Sequence, residues 1–433
     1  MTPAARLQAA ADVLDRIAGG RAPAEEALKA WGRENRYAGS KDRRAIADRV
    51  YRCLRARARL GWAMGSERGR ALVIGSLALI DGEPLDEIRR LFTGEGYAPS
   101  PLTEDEVERL TGSPGEPPAW AAAGLPAFVA EDFKRTFGDA WAAEAEALMA
   151  PRAPIDLRVN TARADLGSVK AELEAEGLSP EPTPLSAAGL RLKAEPPPNV
   201  QKLAAFREGR IEIQDEGSQI AAFLAGARRG QTVVDYCAGG GGKTLVLGQA
   251  LAGEGTLVAG DVVQKRLDAI RPRLERAGVA ADLRRLGTEG EGLEDLCGQA
   301  DLVLVDAPCS GSGTWRRRPE DAFRLTEAEV DRLHALQVAI LDRASALVKP
   351  GGRLAYVTCS MLSRENEASA DAFEAAHPEF RPTPVAATLD NPVFTDEARR
   401  RLAALADGGH RLRLSPRTAG TDGFFISLYE RSL

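Results

Sequence analysis

The chain of 433 residues is 44% hydrophobic and 28% charged, with a formal net charge of −6 at pH 7. Its length exceeds one ordinary core and predicts two or three domains. No apolar run approaches the roughly 18 residues of a membrane span, and the acidic balance excludes adhesion of the whole surface to polyanions, so any nucleic-acid surface must be local.

In chain order, MTPAARLQAAADVLDRIAGG repeats apolar residues at helical spacing through Leu7, Ala10, Ala11, Leu14 and Ile17. It lacks the basic-then-apolar layout of a signal peptide, which points to a cytoplasmic protein. The stretch from Gly39 to Trp62 carries eight Lys and Arg residues against only Asp42 and Asp48, with Ser40 placed to cap a helix. Arg52, Arg55 and Arg59 there make either a solvated face or an RNA-binding face; scarce acids and interleaved aromatics keep both readings open. Thr111 to Pro126 is turn-rich and reads as a boundary, followed by a helix through Met149. Residues 153–193 read as strand, helix, strand. From residue 216, QTVVDYCA, GTLVAGD, a weak ADLRRL, DLVLVDAPC and GGRLAYVTCS alternate with helical patterns, which implies a mostly parallel sheet with helices on both faces. Thr326 and Glu329 form a capping box at the longest helix. The closing pair, HRLRLS and GFFISLYE, is a hairpin and adds an antiparallel strand. The predicted domains are a helical one over 1–145, a small α/β segment over 146–215, and an α/β domain over 216–433 on which that segment packs.

Cys53, Cys237, Cys297, Cys309 and Cys359 are widely spread with no CxxC pair, and only three histidines accompany them, so neither a disulfide framework nor a metal site is expected. Cys53 and Cys297 are assigned to packing. Cys309 and Cys359 differ, because each ends a strand beside a serine.

VVDYCAGGGGKTLVLGQAL, from Val233 to Leu251, is strand, glycine loop, helix, the layout in which backbone N–H groups meet a nucleotide-like ligand. GGKT also fits the end of a P-loop, but that motif needs glycine where Cys237 stands. Asp261 ends the next strand, as a ribose-binding acid or a helix cap. Glycine loop plus ribose acid suits S-adenosylmethionine. Ligands of open α/β sheets sit outside the carboxyl ends of the strands, so Asp261, Asp306, Cys309 and Cys359 should converge on one cleft. A thiolate beside a methyl donor suits methylation of a pyrimidine carbon: addition at C6 turns C5 into an enamine carbon, and Asp306 can bind the N3 and exocyclic-amine edge of cytosine. A base then removes the C5 proton, and the second cysteine can assist release.

DAPCSGSGTWRRRPE, YVTCSMLSRENE and DYCAGGGGKT together resemble the NOP2/Sun/RsmB family of RNA cytosine-C5 methyltransferases. The likeness runs from QDEGSQ (Gln214 to Gln219) to DGFF (Asp422 to Phe425), and the helical N-terminus resembles the NusB-like domain of bacterial RsmB-type 16S rRNA enzymes. The resemblance implies a class I Rossmann-like methyltransferase sheet with an antiparallel final strand, preceded by an all-α NusB-like domain. It implies Cys359 as nucleophile and Cys309 as the residue that aids release, the reverse of DNA cytosine methyltransferases. It places S-adenosylmethionine against Cys237, Ala238, Gly239, Gly240, Gly241, Gly242, Lys243, Asp261 and Asp306, with Lys243 also near the reacting centre. Two positions depart from the family: Gly239 and Gly240 replace its usual alanine-proline, and Leu286, Gly287 and Thr288 stand where it offers an acid near the adenine.

Arg316, Arg317 and Arg318 come after the Cys309 turn, as a phosphate clamp beside a flipped base or as a solvated loop. The implied protein is a cytoplasmic, monomeric methyltransferase acting on single-stranded or loop RNA, 16S rRNA first, with its N-terminal domain an RNA or assembly platform. The alternatives are the same chemistry on tRNA or 23S rRNA, a P-loop NTPase, or a non-catalytic RNA-binding assembly factor. Two retained thiols argue against a silent protein.

Overall fold

The computed structural model describes residues 1–20, 22–112, 115–149, 152–193 and 197–433. Two compact units divide the chain: residues 1–152 with 314–325, and residues 153–313 with 326–433.

The first unit is helical. Its helices Pro3–Gly19, Ser40–Arg55 and Gly69–Leu79 bury Leu7, Leu14, Ile17, Ile46, Val50, Leu72 and Ile74 in one core. The first and last cross closely at Gly69, where an added Cβ would lie 2.1 Å from the Ala11 carbonyl oxygen. Ser40 is not the cap expected of it. It is the first helical residue, and the Asp42 carboxylate instead accepts the Gly39 N–H at 3.2 Å, which an acid in the first turn does well. The turn-rich stretch read as a boundary joins helices inside this unit, Glu104–Thr111 to Ala119–Ala122, apart from Ser113 and Pro114, which lie outside the described residues.

A segment distant in sequence completes this unit. Thr314–Leu325 comes after the Cys309 turn, yet Trp315 is fully buried, Glu320 accepts the Ala24 N–H at 2.8 Å, and Arg324 donates to the carbonyls of Ile17 and Ala22 at 2.9 Å.

The second unit holds two sheets. The smaller contains β1 (Ile155–Val159), β2 (Pro180–Pro182), β3 (Gly189–Leu192) and β4 (Ile211–Ile213), antiparallel in the order β2-β3-β1-β4. Helix Leu166–Ala175 covers it through Val169 and Leu173. The larger contains β5 (Thr232–Asp235), β6 (Thr256–Asp261), β7 (Asp282–Arg285), β8 (Ala300–Asp306), β9 (Val348–Thr358), β10 (Phe380–Pro382), β11 (Arg411–Leu414) and β12 (Phe424–Arg431). Their order is β10-β12-β9-β8-β5-β6-β7, with β11 on β12. Strands β5 to β9 pair in parallel, and their near-continuous apolar runs, such as Leu302 to Val305, are what a strand covered on both faces requires. β12 runs antiparallel between β9 and β10, and β11 pairs with it as the expected hairpin. This is a Rossmann-like methyltransferase sheet. The chain leaves β5 toward β6 and β7 and returns to β8 on the other side, which makes the carboxyl ends of β5 and β8 the switch point where such sheets bind ligands.

Candidate active site

The loop after β5 leads into helix Gly242–Leu251 through Gly239 at φ 54° and Gly241 at φ 80°. Gly241 is required twice over, because a Cβ there would also lie 2.9 Å from Ile270. Asp261, at the end of β6 and only 4% exposed, accepts the Gly239 N–H at 3.0 Å and the Val263 N–H at 2.8 Å. It therefore ties the glycine loop to the next strand, while the N-cap of helix Gln264–Ala277 is Val263. At the place where the sequence lacks an acid, Glu291 reaches back: a Cβ on Gly287 would lie 1.9 Å from its Oε2.

Lys243 stands in the first turn of helix Gly242–Leu251, with Nζ 2.7 Å from Asp306 Oδ2 and 5.2 Å from the Phe424 ring centroid. Burial alone would lower this ammonium, but the Asp306 charge and hydrogen bond, with a contribution from Cys359, hold its pKa above the ordinary value. Beneath the loop lies Asp235, which sequence reasoning missed. Thr244 donates to its Oδ2 at 2.6 Å, its Oδ1 has no hydrogen-bond partner among the described residues, and burial pushes its pKa up to about 7. Burial also raises the Cys237 thiol well above the usual range, so it stays neutral.

The strands β8 and β9 are parallel neighbours with Asp306 opposite Val357, so the turns beyond them emerge side by side. Cys309 Sγ and Cys359 Sγ are 3.4 Å apart. The hydrogen bond with Cys359, then burial, push the Cys309 thiol well above its ordinary pKa. The Gly313 N–H donates to the Cys359 carbonyl at 2.9 Å, and Gly423 N–H donates to the Gly313 carbonyl at 2.8 Å. A Cβ on Gly313 would lie 2.2 Å from the Gly423 oxygen, which accounts for glycine in both PCSGSG and DGFF.

Residues 222–430 match the family model for 16S rRNA methyltransferase RsmB/F, and residues 125–199 match the ferredoxin-like domain model of RsmF/B-like methyltransferases. These residues belong to the RsmB/F methyltransferase family. The chain is similar to the probable ribosomal RNA small subunit methyltransferase B of Bacillus subtilis (strain 168), 32% identical over 62% of this chain and 58% of that protein. The match thus spans little over half of that relative's length. Among solved structures it is similar to PH0851, with 25% identity, a TM-score of 0.77, and coverage of 100% of this chain and 99% of that one. A methyltransferase homolog protein from Pyrococcus horikoshii has 27% identity, a TM-score of 0.59, and coverage of 72% and 97%.

Beneath the thiols of this RsmB/F domain lies a side chain that sequence reasoning used only as part of a motif. Glu365, fully buried, accepts the Ser310 N–H at 2.7 Å and Gln337 Nε2 at 3.1 Å on one oxygen, and the hydroxyls of Ser310 and Ser360 on the other. Asn366 beside it donates to the Ser360 carbonyl at 2.9 Å and accepts from Thr358 Oγ1. The polar run RENE and the Cys-Ser turns were the available signal.

The arginines behave differently from one another. Arg316 is buried, and its carbonyl accepts from Arg55 Nη2 at 3.1 Å. Arg317 is half-buried, and Arg318 is exposed and paired with Asp321 at 3.2 Å. On the basic helices Arg52 pairs with Asp81, whereas Arg59 is exposed. Among the described residues no helix is long and apolar enough to cross a membrane, and no cluster of three metal-ligating side chains occurs.

Proposed function

We propose that this chain methylates C5 of a cytosine in RNA, with 16S rRNA as the substrate and S-adenosylmethionine as the methyl donor. The observation that carries the reading is the pair of thiols 3.4 Å apart beyond the carboxyl ends of β8 and β9, beside the Lys243–Asp306 pair. The residues fit the donor. The first turn of helix Gly242–Leu251 leaves backbone N–H groups at its N-terminus, and each Asp261 oxygen that accepts one N–H retains a lone pair for a ribose hydroxyl. When bound, S-adenosylmethionine supplies an electrophilic methyl group.

The chain's own residues do the rest. Cys359 attacks as thiolate, forming an S–C6 bond while the C5=C6 electron pair moves to C5. Lys243, held cationic, stabilises that thiolate by charge. Asp306 has one oxygen on Lys243 and offers the other as acceptor to the exocyclic amine of cytosine. After methylation a base takes the C5 proton, C5=C6 re-forms, and the S–C6 pair returns to Cys359. Cys309, whose sulfur lies 3.4 Å from that of Cys359, is the neighbour that can assist the departing Cys359 sulfur. The target base must be unstacked to reach these groups. Bisulfite sequencing of ribosomal RNA from a deletion strain tests the reading: one 5-methylcytosine is lost from 16S rRNA, and an unchanged 16S pattern sinks the substrate assignment.

A further inference from the structure

We infer that Glu365 is a positioning residue whose carboxylate sets the two thiols in register, by holding the turns after Cys309 and Cys359 at once. The inference rests on the proposed covalent reaction for its kinetic part alone. Sheet pairing between β8 and β9 ends at Asp306 opposite Val357, so the ladder itself fixes neither cysteine. Beyond it, Ser310 is next to Cys309 and Ser360 is next to Cys359, and both hydroxyls donate to the same Glu365 oxygen. The other oxygen holds the Ser310 N–H, and Gln337 braces it while also donating to the Pro308 carbonyl at 3.0 Å. Ser312 closes the ring: its hydroxyl is 3.1 Å from those of Ser310 and Ser360, and it accepts the Met361 N–H at 2.8 Å. All four donors to Glu365 need an acceptor, and its carboxyl group places an acceptor oxygen on each side. A glutamine of the same size would turn an N–H₂ toward one set of donors and push the turns apart.

The test reads the register without RNA or cofactor. Diamide, an azo oxidant, takes two electrons and two protons from a pair of adjacent thiols and becomes the hydrazine, leaving a Cys309–Cys359 disulfide that peptide mapping of the full chain detects. The wild-type pair couples readily. Glu365→Gln couples about tenfold more slowly or worse, and its methyl-transfer kcat falls roughly 100-fold at unchanged RNA KM, the effect of a misplacement near 1 Å. Should Glu365→Gln fail to melt cooperatively, the Ser310→Ala/Ser360→Ala double variant, which keeps the carboxylate and removes two donors, decides by the same two readouts. Wild-type coupling rate and kcat in a folded variant overturn the inference, as does a wild-type pair that does not couple. If the wild type couples but transfers no methyl group to RNA, the functional reading fails and the positioning role stands on the coupling rates.

Discussion

Asp261 joins binding and folding in one carboxylate, and the two contributions can be separated. It accepts two backbone N–H groups at 3.0 and 2.8 Å from a buried position, so Asp261→Ala strands both donors. At about 1–3 kcal/mol for each unsatisfied group, alanine lowers stability by roughly 2–6 kcal/mol, too much for a clean binding experiment. Asp261→Asn keeps one acceptor oxygen and loses one bond, about 1–3 kcal/mol. Against a ribose diol the amide forfeits the charge and one acceptor, about 1.5–3 kcal/mol, or roughly 10- to 150-fold in Kd for S-adenosylmethionine. Calorimetric titration of both proteins, with melts taken without ligand, reads the two quantities independently. A shifted melt with wild-type affinity leaves Asp261 a tie for the glycine loop and refutes the ribose contact.

Three other perturbations draw on the same geometry. Asp235 has its folded pKa raised to about 7 from 3.8, so its protonated form stabilises the fold below pH 4 and that stability is lost as pH rises through 7. Asp235→Asn removes the titration, so its stability should gain on the wild type between pH 4 and 8, by up to about 4 kcal/mol, read as a melting-temperature difference that grows with pH; a constant difference contradicts the shift. Gly313→Ala drives a Cβ into the Gly423 backbone and should abolish methyl transfer while lowering the melting temperature by several degrees, which activity assays and calorimetry check. Arg59→Glu, at an exposed position, should weaken RNA binding and reduce the salt slope by about one, without changing donor affinity; an unchanged slope makes that helix a solvated face.

The parallel sheet was legible because its strands are apolar on both faces, and each strand that ends in a reactive residue announces where the residue lies. The contacts of Lys243 with Asp306 and of Cys309 with Cys359 arise from that topology. Strands β2, β4 and β10 were not legible: each is three residues long, and β2 and β10 contain proline, which argues against a strand in sequence. Nor was the capture of Thr314–Leu325 by the helical unit, since the Glu320–Ala24 bond joins residues 296 apart and leaves no periodicity. Glu365 was hidden for a different reason. An acid among polar residues ahead of helix Glu367–Ala376 reads as a helix-start residue, and only the tertiary structure brings it under both Cys-Ser turns.

The central claim is that two touching thiols have opposite duties, and trapping the covalent complex tests it most directly. Cys359→Ala and Cys309→Ala are each incubated with target RNA and S-adenosylmethionine and resolved on denaturing gels. The account predicts no methylation and no adduct for Cys359→Ala, and for Cys309→Ala a protein–RNA adduct that persists and requires the target cytosine. An adduct formed by Cys359→Ala exchanges the roles, and full activity in both variants contradicts covalent catalysis altogether.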